Sequence, residues 1–280
     1  MVKTLRTPLL LLVLALPAAA FGFDFNQALD SLKTVAEANR DVGEKDEIAL
    51  GGQMAATLLG TAPLVRNPAL QKYVNDVGRW LALQSERPDL PWHFGVMDDE
   101  GVNAFSTPGG YVLITKGLLK KLDNEAELAG VLAHEIAHVT QKHYLKAMKN
   151  SATFGAVSGL AANAMQKNGD QKTQVLANIV KGSKELYARG LDKGDEYEAD
   201  RMGMVIAARA GYTPFGLPEV LHILERENPG DPGVALLFKT HPMPEERLKS
   251  LDLAAGDKLD PLADNPSLEA RYQRYKPRGR

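Results

Sequence analysis

"VLAHEIAHVT", Val131 to Thr140, places two histidines four positions apart with a glutamate directly after the first. At about 3.6 residues per helical turn, this spacing stacks His134 and His138 on one face, where both imidazoles can reach a single ion. Glu135 lies about 100° further round, beside such an ion and not on it. That position suits a base that takes a proton from water acidified by a metal. The competing reading is a helix with two surface histidines. Against it stand Val131, Leu132, Ile136, Ala137 and Val139, which make the helix largely buried, where two unpaired histidines would be costly. The stretch predicts a buried helix that holds zinc, one Zn2+ per chain.

Working outward, "DNEAELAGVLAHEIAHVTQKHYLKAM" reads as one helix, with Asp123 or Asn124 as its cap, acids in its first turn and lysines towards its end. Just upstream, "LPWHFGVMDD" and "GGYVLITKG" read as two short strands, rich in β-branched and aromatic residues. From Asp24 to Gln84 the periodicity is helical, interrupted by "LGTAPLVRNP". Beyond the motif, residues 151–186 are rich in small residues and read as two loosely packed helices or a mobile loop. "GDEYEADRMGMVIAARAG" then forms a helix ended by Gly211, and "PFGLPEVLHILEREN" forms another. After Leu253 the composition turns to Pro, Asp and Gly, which predicts an exposed tail over 256–280.

Composition narrows the chemistry. The 280 residues are 44% hydrophobic, enough for a packed core. There is no cysteine, so disulfides, zinc–thiolate sites, cysteine nucleophiles and an acylated lipoprotein cysteine are excluded. Lys3 and Arg6, the apolar run from Leu9 and the small residues at Ala18 to Ala20 have the layout of a signal peptide over 1–20. The run is too short to span a bilayer, so the expected product is exported and soluble, with no membrane span in the mature chain. Cleavage there removes two of 33 basic residues and none of 35 acidic ones. A mildly acidic domain with no basic block is a poor nucleic-acid binder, so no nucleic-acid partner is expected.

Catalytic zinc takes a third protein ligand and leaves a position for water. In "GDEYEADRMG", Glu196 and Asp200 share a helix face, whereas Glu198 points about 200° away from Glu196. Glu196 is therefore assigned to the metal, and Asp200 to the ring N–H of a ligating histidine. The alternative for this acidic run, which includes Asp195, is a solvated helix start favoured by the helix dipole. His93, His143 and His222 are taken as structural or surface residues. His143, five positions after His138 on a continuous helix, would sit about 140° off the ligand face.

His134-Glu-Ile-Ala-His138 and Glu196-Tyr-Glu-Ala-Asp200, with "NAFSTPGGYVLITKGLL" upstream and "THPMPEERL" downstream, resemble metallopeptidase family 48, the gluzincins. The resemblance runs from about Glu44 to Leu251 and is closest to an exported bacterial branch, from which this sequence departs in stopping before any tetratricopeptide repeats. It implies an α+β fold, a mostly helical zincin-type domain over 21–255 with a small β-sheet beside the active-site helix, and the active-site and Glu196 helices packed under that sheet. It implies a zinc endopeptidase degrading misfolded or unassembled cell-envelope proteins in the periplasm. Its expected partners are polypeptide substrates, outer-membrane proteins or their assembly machinery. The resemblance also makes "YVLIT" an edge strand that pairs with substrate and puts His241 and Arg247 near the metal, with Arg247 at the oxyanion. Two expectations follow for His241: a regulatory ligand closing a latent site under the 151–186 segment, or a hydrogen-bond partner of substrate or the oxyanion. A second class of function is a chaperone-like client-binding protein whose metal site is mostly closed.

Overall fold

The computed structural model describes residues 42–149 and 189–277. The expected signal peptide at 1–20, the N-terminal helical pattern before residue 42 and the segment 151–186 lie outside them. The first helix, α1 (Glu44–Leu59), is followed by α2 (Pro68–Ala82), which starts with Pro68 in its first turn and with Asn67 Oδ1 accepting from the Leu70 N–H at 3.2 Å. Three strands follow: β1 (His93–Met97), β2 (Ala104–Thr107) and β3 (Tyr111–Thr115). Their order in the sheet is β1-β3-β2, with β1 parallel to β3 and β2 antiparallel to it.

This order corrects the expected edge strand. "YVLIT" is β3, the central strand, because the unanticipated β2 pairs along it from Ala104↔Ile114 to Thr107↔Tyr111. Among the described residues the outer strands are β1 and β2. One face of the sheet sends Phe94, Val96, Ala104, Val112 and Ile114 into the main core, and the other packs Met97 and Leu113 against Leu58 and Leu59 of α1. The alternation is the period of two that a sheet covered on both faces requires.

The short α3 (Lys116–Lys121) leads to α4 (Glu125–Thr140), the helix that carries the two histidines. Asn124 caps it, its Oδ1 accepting from the Glu127 N–H at 3.0 Å. All 16 residues of α4 are buried, so the helix runs through the core with no solvent face. It does not continue to residue 148. It stops at Gln141, Lys142 turns with φ 56°, and α5 (His143–Lys149) sets off afresh.

Helix α6 (Lys193–Arg209) packs along α4 and not under the sheet, so the two site helices form successive layers. Gly203 permits this approach: a Cβ there would lie 3.0 Å from the His134 backbone nitrogen. Next come α7 (Gly216–Glu225), the short α8 (Ala235–Thr240) and α9 (Pro244–Ala255), with Met204, Leu221 and Leu251 forming a second small core between α6, α7 and α9. Among the described residues, no helix is long and apolar enough to cross a membrane.

The expected exposed tail is also corrected. Helix α10 (Glu269–Tyr275) docks on the core, with Tyr272 1% exposed and its hydroxyl donating to the Leu119 carbonyl at 2.5 Å. Arg271 forks onto the buried Glu125 carboxylate at the start of α4, which also accepts from Tyr73 Oη at 2.8 Å and Tyr212 Oη at 2.7 Å. The polar composition hid two anchors whose partners lie about 150 residues away in sequence. Tyr272→Ala should therefore cost about 3–5 kcal/mol in urea unfolding, as loss of a buried aromatic does, whereas an exposed tail would show almost no change.

Candidate active site

His134 and His138 leave α4 on one face, and their Nε2 atoms converge to 3.0 Å. Opposite them, α6 presents Glu196, Asp200 and Gly203, spaced to share a face, so the glycine that lets the helices close also brings the carboxylates in. Glu196 Oε1 lies 3.5 Å from His138 Nε2, and its Oε2 lies 3.7 Å from His134 Nε2. One ligand atom from each of His134, His138 and Glu196 falls within 4.8 Å of the others, and all three residues are buried.

The outer ring nitrogens decide what the inner ones offer. His134 Nδ1 is 2.9 Å from Asp200 Oδ1, and His138 Nδ1 is 2.9 Å from His143 Nδ1. An N–H donated outward at each Nδ1 leaves a lone pair on each Nε2, and two acceptors facing each other at this distance call for a cation between them. Two imidazoles and one carboxylate are a donor set suited to catalytic zinc. Burial pushes the His138 pKa well below its ordinary value, keeping the ring neutral as ligation requires. Burial alone would raise Glu196, but the charge of His241 and its hydrogen bond outweigh it and hold the carboxyl ionised. Asp200 is likewise held well below the usual range, its burial outweighed by the Arg247 guanidinium and the bond to His134.

Glu135 sits next to this cluster, 2% exposed, with Oε2 accepting from Ser106 Oγ at 2.7 Å. The sequence reading gave Ser106 no role, because the β2 strand that carries it was not anticipated. Asp200 stands where expected. Arg247 does not stand as an oxyanion donor would: it is 5% exposed, its Nε donates to Asp200 Oδ2 at 2.9 Å, and its Nη2 donates to Asp200 Oδ1 at 2.5 Å. The fork is spent holding the carboxylate that holds His134. His241 reaches the site through Glu196, its Nδ1 being 2.6 Å from Oε2. The cleft beside it is lined by Asn103, Ala104 and Phe105 on one wall and by Gly190, Leu191 and His241 on the other. Its volume is ≈ 10 Å³, about the room of one water.

His143 is the second residue the sequence reading misplaced. The break at Lys142 turns it back towards α4, buried and against His138. A lysine in the left-handed region gives no local signal for such a turn. His93 and His222 stand apart from the cluster, beside Tyr111 and Glu225 respectively.

Comparison with known proteins places this geometry in context. The family model for peptidase family M48 matches residues 68–255. The beta-barrel assembly-enhancing protease of Escherichia coli K12 is 32% identical over 238 residues, covering 82% of this chain and 47% of that protein. The putative beta-barrel assembly-enhancing protease of Vibrio cholerae is 31% identical over 228 residues, 79% of this chain and 46% of that one. The mitochondrial metalloendopeptidase OMA1 of Schizosaccharomyces pombe is 30% identical over 181 residues, 64% of this chain and 51% of that one. The chain spans about half the length of each of these relatives.

The geometry separates two acids two positions apart. Glu196→Ala should weaken zinc binding by more than the roughly 10–100-fold that loss of an outer hydrogen-bond partner costs, and Glu198→Ala should weaken it far less. Elemental analysis after dialysis against a competing chelator reads the order directly.

Proposed function

The chain belongs to peptidase family M48, and on that premise we propose that it is a zinc endopeptidase. The observation that carries the reading is the pair of Nε2 acceptors converging beside Glu196, with Glu135 poised next to them and each outer nitrogen already held. His134, His138 and Glu196 would hold the zinc, which when bound would supply Lewis acidity for a scissile carbonyl and for water. Glu135 takes the proton from the attacking water and returns it to the leaving amine, and Ser106 fixes which carboxylate oxygen faces the cleft. Asp200 and Arg247 act through His134, keeping its ring turned to the metal.

The substrate runs along β2. Among the described residues β3 is central and β2 is an outer strand of the sheet, and its Ala104 and Phe105 line the cleft beside Glu196. An extended peptide added as a further strand brings its backbone to the two histidines and Glu135. The substrates we propose are misfolded or unassembled cell-envelope proteins, including outer-membrane proteins at their assembly machinery, met in the periplasm. Support comes from the signal-like N-terminus and from the relatives named for β-barrel assembly.

A latent resting state is part of the proposal. The cavity beside Glu196 is small, and His241, on a loop held by Pro242 and Pro244, sits against that proposed ligand. Opening requires that loop to move, and only a client that binds the open form better can shift the balance. A client-binding role without cleavage would use the same edge with the site shut.

Digestion of casein by the purified protein, with and without a chelator, separates these. The chelator should stop cleavage, and Glu135→Gln should lower the rate by about 10²–10⁴-fold at unchanged zinc content. Binding of casein without cleavage by the zinc-loaded protein would favour the client-binding role. His241→Ala should raise basal cleavage, and a fall at unchanged zinc content would reject the latency.

A further inference from the structure

His138 is held by a hydrogen-bond partner that is itself a histidine, and that histidine faces two acids. His143 is 2% exposed, its Nδ1 lies 2.9 Å from His138 Nδ1, and its Nε2 lies 3.5 Å from Glu198 Oε2 and 3.9 Å from Asp195 Oδ1. Asp195 is buried at the start of α6 and receives Lys146 Nζ of α5 at 2.6 Å. Four side chains from two helices thus line up behind one of the two site histidines.

A contact between two Nδ1 atoms holds one proton, so one ring donates and the other accepts. If His143 donated, His138 would carry its proton on Nε2 and could not offer a lone pair there. If His138 donates, His143 accepts at Nδ1 and must be protonated at Nε2, the atom turned towards Glu198 and Asp195. Carboxylates accept and do not donate, so the two acids select the second arrangement. We propose that His143 is a positioning residue: with Glu198 and Asp195 behind it, it fixes the tautomer and the ring orientation of His138 so that Nε2 is offered to the metal. The inference deepens the zinc reading and rests on it.

The backbone supports this assignment. A helix continued through Lys142 would carry His143 about 140° away from His138. The chain instead places Lys142 at φ 56°, a left-handed region that L side chains rarely enter. That turn brings the second ring onto the first. His143, Asp195 and Glu198 also lie close enough together to suggest a second metal position. The ammonium of Lys146 already occupies the carboxylate of Asp195, and this favours the relay.

The test compares zinc affinity, by competition with a chromophoric chelator, with the thermal stability of the metal-free protein. Wild type should bind one zinc per chain, and binding of none would remove the zinc reading together with this one. His143→Leu should weaken zinc binding by about 10–100-fold, the range typical for loss of a ligand's outer partner. His143→Gln, whose amide can accept from His138 and donate towards Glu198, should recover most of that loss. Glu198→Gln, a change at a half-exposed position that leaves the fold intact, should weaken binding by a few-fold through His143 alone. The proposal is overturned if His143→Leu and Glu198→Gln both keep wild-type affinity. It is also overturned if affinity falls only in step with metal-free stability, with no recovery in His143→Gln, or if a second zinc binds and is lost with Glu198. Should His143→Leu not fold, the Gln and Glu198 variants decide by the same criteria.

Discussion

Burial of the whole of α4 is the constraint on which the rest of the structure depends. A helix with no solvent face can carry polar side chains only if each finds a partner inside the protein, since an unpaired buried polar group costs kcal/mol that a marginally stable fold cannot absorb. Helix α4 carries six: Thr140 donates back to the Ala137 carbonyl of the helix itself, and the other five are each met from outside it. Glu125 is met by Tyr73 of α2, Tyr212 and Arg271 of α10, and Glu127 by the Asp123 N–H and Asn124 in the turn before the helix. His134 is met by Asp200 of α6, Glu135 by Ser106 of β2, and His138 by His143 of α5. The polar residues of one helix thus set where its neighbours must sit.

The same constraint explains the charge pattern of the site. Glu196 and Asp200 are both buried and both ionised, which is sustainable because His241 faces the first and Arg247 clamps the second. Arg247 is itself buried, so removing either member of its pair would strand a charge in the core. The arginine is therefore structural and electrostatic at once: it balances the carboxylate that orients His134.

What the sequence discloses and what it conceals divide along the range of the interaction. His134, Glu135, His138, Glu196 and Asp200 were legible because helical spacing alone puts them on common faces, and both helices are long and strongly patterned. Strand β2 was not, since its four residues "AFST" are too few to show a period and acquire their identity from pairing with β3. The break after Gln141 was hidden because the left-handed residue is a lysine, where a glycine or asparagine would have marked it. Docking of α10 was hidden because its value lies in Glu125 and the Leu119 carbonyl, distant in sequence. Arg247 was found through resemblance, but its task depends on where Asp200 points, which no linear pattern records.

The shortness of β2 has a consequence for how selective such a protein can be. If a client adds to β2 as proposed, four residues could offer it few backbone donors and acceptors, because only alternate residues of a strand point them to one side. A guest strand gripped through so few main-chain bonds would be recognised by its extended shape and hardly at all by the identity of its side chains. Compactly folded chains would have no such stretch to offer and would be passed over. Discrimination of this kind would be conformational, applying to any chain that has come undone, and a loose grip would let the fragments leave.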